Sequence, residues 1–146
     1  AKNTLLKDIC QYSYLSRHTI NYERTRIAQE VDKVLKSKEQ KLPLAVEICS
    51  PNSLTTLNII DRCEKLILLT SSQNAYYIMN TLEERSKHHF LPTNVSLRLC
   101  HLNPEYMMHQ YPNELNGKVD LLVIGYGAGS QISDLTRFIR YAYNWL

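Results

Sequence analysis

With 146 residues, 44% of them hydrophobic and 21% charged, the chain fits one folded domain with one main core. A net charge of +3, with the basic residues spread out, gives no nucleic-acid stripe, and no run reaches the roughly 18 apolar residues of a membrane-spanning helix. Cys10, Cys49, Cys63 and Cys100 lie far apart without a Cys-x-x-Cys pair, which argues against a zinc site or redox dithiol and for free, buried thiols in a reducing cytoplasm.

The start, Ala-Lys-Asn-Thr-Leu-Leu-Lys-Asp, is no signal peptide, and from Asn3 to Ser37 the pattern is helical with a break near Ser16 to Thr19. In the second piece Ile27, Val31, Val34 and Leu35 recur at spacings of three and four and predict a buried stripe, while Glu23, Arg24, Arg26, Glu30, Asp32 and Lys33 fill the other face. Lys36 to Lys41, closed by Pro43, reads as a linker. Residues 1–42 are thus a helical segment and linker ahead of an α/β unit over 43–146, the whole forming one compact domain.

Four apolar runs of strand length follow: Leu44 to Cys49, Lys65 to Thr70, Val95 to His101 and Val119 to Gly125. Ser53 to Cys63 and Ser72 to His89 between them read as helices. Asn103 to Asn116, with Pro104 and Pro112, reads as a loop with one turn of helix. Asp134 to Leu146 reads as a last helix burying Leu135, Phe138, Ile139 and Ala142. Strict alternation of strand and helix predicts a Rossmann-like parallel sheet with helices on both faces, and ligands bind such sheets beyond the carboxyl ends of the strands. The chain begins without Met and stops inside an apolar helical pattern, which reads as a fragment or an early stop.

The chemistry-bearing positions gather at those strand ends. Ala45 to Leu54 reads Ala-Val-Glu-Ile-Cys-Ser-Pro-Asn-Ser-Leu, a strand, an acid and a turn into a helix, placed where such folds carry a glycine-rich cofactor loop. Cys49, Pro51 and Ser53 occupy the glycine positions, and Pro51 fixes φ at about −65° and removes an N–H. Asn52 or Ser53 can cap the following helix, so a plain capped turn is the competing reading. After the second strand Thr70 stands where a ribose-gripping acid is usual, and Ser72 reads as a helix cap. After the third, Asn103 offers an amide suited to an adenine edge, or simply a turn before Pro104.

Gly125-Tyr126-Gly127-Ala128-Gly129-Ser130 lacks the spacing and the downstream acid of a dinucleotide fingerprint. It reads as a flexible loop at the mouth of the site, with Tyr126 either a ligand contact or a core tyrosine. The histidines are scattered, apart from His88-His89 beside Lys87 at a helix end, and there is no nucleophile elbow. Neither a metal site nor a hydrolase is expected, and no residue is assigned a catalytic role.

Helix, linker, strand, turn and three further strand units in this order resemble, over nearly the whole chain, the front of a class I adenosyl-methionine-dependent methyltransferase. Ser16-Arg17, Tyr22-Glu23 and Ala28-Gln29 resemble the opening segment of the biotin-pathway malonyl-acyl-carrier-protein O-methyltransferases, in which a Tyr is followed seven residues later by a Gln. Asp134-Leu135, Arg140-Tyr141-Ala142 and Trp145-Leu146 are similar to that family's helix after the fourth strand.

The resemblance implies an incomplete class I methyltransferase fold with S-adenosyl-L-methionine as cofactor. It implies methyl transfer to the free carboxylate of a malonyl thioester carried on an acyl-carrier protein. It also implies that Tyr22 and Gln29 border the methionine part, Glu47 and the Cys49 to Ser53 turn its amino-acid end, Thr70 the ribose and Asn103 the adenine. Proximity and orientation would carry such a reaction, because a carboxylate attacks a sulfonium without acid or base help.

The chain departs from the pattern at the three missing glycines and the missing ribose acid, and the family's remaining strands would fall beyond Leu146. An unfinished sheet leaves an open edge for a partner or a second copy to cover. A catalytically inactive methyltransferase-like module that binds a protein partner is therefore the alternative, and a nucleotide-binding domain using the late glycines is a third.

Overall fold

The computed structural model describes residues 17–37, 39–49, 55–71, 93–100, 103, 106, 111–124, 126–129 and 132–146. The helices expected before Ser16 and over Ser72 to His89 lie outside them, as does Ser53. Helix α1 spans Arg17–Val34. It is followed by β1 (Leu42–Ile48), a 3-10 segment (Thr55–Arg62), β2 (Cys63–Thr70), β3 (Val95–Leu99), α2 (Pro112–Leu115) and β4 (Leu121–Ile124). Two short helices, α3 (Tyr126–Gly129) and α4 (Leu135–Ala142), and a 3-10 turn (Tyr143–Trp145) complete the order.

The four strands form one sheet in the order β3-β2-β1-β4, and every pairing is parallel. The expected α/β class is thus observed. β1 starts earlier than its apolar run, with Pro43 inside it at a position that pairs with neither neighbour. A proline can occupy that position because no ladder bond there needs its missing N–H. One residue later Leu44 N donates to Asp120 Oδ2 (2.9 Å) and its carbonyl accepts from Asp120 N (2.8 Å), which sets the β1–β4 register that begins at Ala45 and Leu121.

Strand alternation sorts the apolar residues into two cores. On one face Ala45, Cys49, Leu66, Leu68 and Val95, joined by Leu42 from before the unpaired Pro43, pack under Val31 of α1, Leu35 just past its end, and Ile59 and Ile60 of the 3-10 segment. On the other, Leu44, Val46, Ile48, Ile67 and Leu69 pack against Leu115, Ala128, Phe138, Ala142 and Trp145. Both layers close on β1 and β2, whose centres are fully buried for that reason.

Several local expectations change. The helix expected over Ser53 to Cys63 is a 3-10 segment with a non-helical residue, Ile59 (φ −105°, ψ 15°), inside it. Ile59 and Ile60 on either side of that kink are both buried against the sheet. In α1, Val31 and Leu35 are buried but Val34 is 66% exposed, so the inner stripe runs Ile27-Val31-Leu35.

In α4 the buried side runs Phe138-Ala142-Trp145, whereas Leu135 and Ile139, expected inside, are 39% and 49% exposed. Both sets fit a 3.6-residue period. The large Trp145, docked through Val119 N to its carbonyl (2.8 Å), decides which one turns inward. Asp134 caps α4 by accepting from Arg137 N (3.1 Å).

The glycine loop expected over Gly125 to Ser130 is, in its described part, the short helix α3. A Cβ on Gly129 would meet only ordinary contact with Ile124, whereas Gly117 needs its freedom because its φ is +68°. The turn of helix expected within Asn103 to Asn116 is α2, introduced by Tyr111 in the left-handed region (φ 48°) under the guanidinium of Arg98. Arg98 also pairs with Glu114. Among the described residues no helix is long and apolar enough to cross a membrane.

Candidate functional site

A parallel sheet brings all its carboxyl ends to one side, and here the winding reverses at β1, which has β2 on one flank and β4 on the other. In open parallel sheets such a reversal is where ligands bind. The ladder extends slightly past the strands: Cys49 N donates to the Leu69 carbonyl (2.7 Å), and Cys100 N to the Thr70 carbonyl (2.7 Å). Glu47, Cys49 and Thr70, read from the sequence as site residues, are thereby gathered at one edge of the sheet.

Glu47 alternates with Ala45 and Cys49 and so points to the α1 side, where its side chain is wholly buried. Its Oε1 accepts two hydrogen bonds, from Thr56 N (2.8 Å) and from Thr56 Oγ1 (2.5 Å). A carboxylate can be buried where donors replace its lost hydration, and bonds to an ionised acceptor are the short, strong ones. Thr56 is itself fully buried in the 3-10 segment. Sequence reading passed over it, because nothing local marks a threonine nine residues after an acid.

Thr70 shares that face with Leu66 and Leu68 and is also wholly buried. Its hydroxyl has no hydrogen-bond partner among the described residues. A buried orphan hydroxyl costs about 1–3 kcal/mol, so one kept at a sheet's ligand-binding edge suits a ligand that supplies its own polar group.

Burial raises the thiols beside these groups. Cys49 stands well above the ordinary thiol value through burial, then the neighbouring charge of Glu47 and the nearby Cys100. Cys100 is pushed up to about 12 by burial, and Cys63 up to about 11, with burial outweighing Arg62 and Lys41. All three are free, protonated thiols near neutrality. A raised folded-state pKa leaves stability intact below the unfolded value. Above about pH 9 the unfolded chain releases protons that the folded chain keeps, so stability falls through pH 9 to 12, by up to about 1.4 kcal/mol per pH unit for each cysteine. Urea melts at pH 7, 9 and 10.5 check this: Cys63→Ala and Cys100→Ala should flatten the alkaline decline.

The other expected site residues stand farther out. Tyr22 is 68% exposed, and Gln29 is exposed and accepts from Arg26 Nη1 (3.3 Å). Seven residues apart, they share the face of α1 opposite Ile27-Val31-Leu35. Asn103 is exposed, and its carbonyl accepts from Tyr106 N (3.1 Å). Tyr126 opens α3 directly beyond β4. Ser53 lies outside the described residues. Among the described residues no group of three or more His, Cys, Asp and Glu side chains could hold a metal ion. Set against profiles of known families, the curated proteins and the solved structures, the chain matches none of them.

Proposed function

We propose that this chain is a class I adenosyl-methionine-dependent methyltransferase domain that methylates the free carboxylate of a malonyl thioester on an acyl-carrier protein. One observation carries the reading: an all-parallel sheet in the order β3-β2-β1-β4, with an acid, Glu47, at the carboxyl end of the strand where the winding reverses. The orphan hydroxyl of Thr70 supports the cofactor, since at the end of the neighbouring strand it suits a ribose hydroxyl.

In this reading Thr70 holds the ribose and the turn from Cys49 to Ser53, with Glu47 behind it, receives the amino-acid end. Asn103 and Tyr126 flank the adenine side and the mouth, whereas Tyr22 and Gln29, which the resemblance puts at the methionine part, stand on the outer face of α1, away from the sheet. Bound adenosyl-methionine would supply a methyl group on a sulfonium sulfur. The task of the side chains is to orient an acceptor carboxylate in line with that group and to exclude water, which is where intramolecular positioning gains most.

A second reading has its own observation. Glu47, Cys49 and Thr70 are all wholly buried, and Glu47 is engaged by Thr56, which suits a closed, non-catalytic module that binds a protein partner.

Adenosyl-homocysteine separates the two. Ligand at 100 times its dissociation constant adds about 2.7 kcal/mol and should raise the melting temperature by about 5–10 °C. No shift at millimolar ligand would overturn the methyltransferase reading in favour of the closed module.

A further inference from the structure

We infer that the open flank of β4 and the outer side of α4 form one self-association surface, on which a second copy of this chain pairs antiparallel about a two-fold axis. The inference is independent of the cofactor reading. β4 is an edge of the sheet, bonded to β1 alone among the described strands, and it reads Leu-Leu-Val-Ile with all four residues half-buried. Alternate N–H and C=O groups of an edge strand point away from its one neighbour and need another partner. No charged residue or proline interrupts this edge. The opposite edge, β3, carries Arg98, whose charge discourages pairing there.

α4 extends the surface. It follows β4 through α3, and its end returns to the entry of β4, where Gly117 N and Val119 N donate to the Asn144 and Trp145 carbonyls. Leu135, Ile139, Tyr143 and Leu146 recur along it at helical spacing, and all four are exposed. Tyr141, on the other flank of the helix, is partly buried against the core, so the exposed stripe occupies the side turned away from the centre of the sheet. Arg137 and Arg140 lie outside the stripe, with Arg137 drawn to Tyr141. The surface is apolar and uncharged, as the centre of a contact between subunits is, and it offers little to an acidic partner or an anionic membrane.

A two-fold rotation fits it. β4 offers four residues, between the bend at Asp120 and the start of α3, and a strand of its own length run antiparallel fills them. The same rotation sets two α4 helices antiparallel over the joined strands, with Ile139 near the axis and Leu135 facing Tyr143 across it. With the strand flanks, the four side chains would bury on the order of 1,000 Å² over both copies, enough for a specific but weak dimer.

Sedimentation of the whole chain between about 1 and 500 μM should show a monomer–dimer equilibrium with a dissociation constant of about 10–100 μM and no larger species. Hydrogen exchange should slow over 121–124 and 135–146 as the dimer forms, and stay unchanged in α1. Ile139→Lys, which sets two like charges at the axis, should weaken the dimer at least about tenfold, whereas Arg140→Gln, outside the stripe, should change it less than about threefold. Melting curves in dilute solution check folding, and Tyr143→Lys on the same stripe decides should Ile139→Lys fail to fold. A monomer at every concentration would overturn the inference. So would a dimer that these lysines leave intact, which places the contact elsewhere, or growth into open-ended assemblies, which a two-fold contact forbids.

Discussion

Trp145→Ala is expected to cost about 3–5 kcal/mol, the largest loss of any single truncation in the described core. Trp145 is 2% exposed, packs in the core of Phe138, Leu115 and Val119, and lends its carbonyl to Val119 N. Beside it Asn144 takes Gly117 N (2.9 Å), so the last turn is pinned by backbone as well as by the indole. Truncation leaves a void that this doubly anchored corner cannot collapse to fill, which is why the upper end of the range applies. Chemical denaturation should show a lower midpoint with an unchanged slope, and the melting temperature should drop by about 10–15 °C. Tyr143→Ala, two residues earlier and 73% exposed, should stay within about 0.5 kcal/mol of the parent. Equal losses in the two variants would mean that the tail is not docked through the indole.

Leu66→Ala should cost about 2–5 kcal/mol from the opposite face. Leu66 is fully buried, pairs with Ala45 on one side and Val95 on the other, and packs in the core beneath Val31 of α1 and Leu35 just past its end. Because the sheet separates this core from the one holding Trp145, the double variant tests the layering. Residues with no shared partners add within about 0.3–0.5 kcal/mol, so the two losses should sum. A coupling above about 1 kcal/mol would show that the layers communicate through β1 and β2 rather than standing independently.

Strand existence was readable in the chain because each strand is a short apolar run bounded by polar or turn residues, and Leu44 to Cys49 is the clearest case. Strand order was not readable from those runs. That β4 returns to lie beside β1 depends on Asp120 meeting Leu44, a contact no window of sequence contains. Periodicity put Leu135 and Ile139 inside α4 together with Phe138 and Ala142, whereas the buried side runs Phe138-Ala142-Trp145 and so includes a residue beyond the helix proper.

The candidate site divides in the same way. Glu47, Cys49 and Thr70 were legible because strand ends are legible and a parallel sheet puts them together. Thr56 was not, since its meaning arises only when the 3-10 segment folds back over β1. Tyr22 and Gln29 came from the family resemblance alone; their seven-residue spacing does put them on one face of α1, but it is the face turned away from the sheet.

The bond between Leu44 and Asp120 spans 76 residues, and that distance sets a timetable for a chain emerging from the ribosome. At synthesis rates of about 5–20 residues per second, some 4–15 s pass between the appearance of β1 and that of the strand which closes its second flank. Through that interval β1 can pair with β2 but presents an unprotected hydrogen-bonding edge, with Leu44, Val46 and Ile48 lacking the cover that Phe138 and Trp145 later provide. The nascent chain therefore carries its greatest aggregation hazard on β1, a strand that ends up inside the sheet, rather than on the final edge strands. Slowing translation between β3 and β4 should lower the soluble yield more than slowing it after α4.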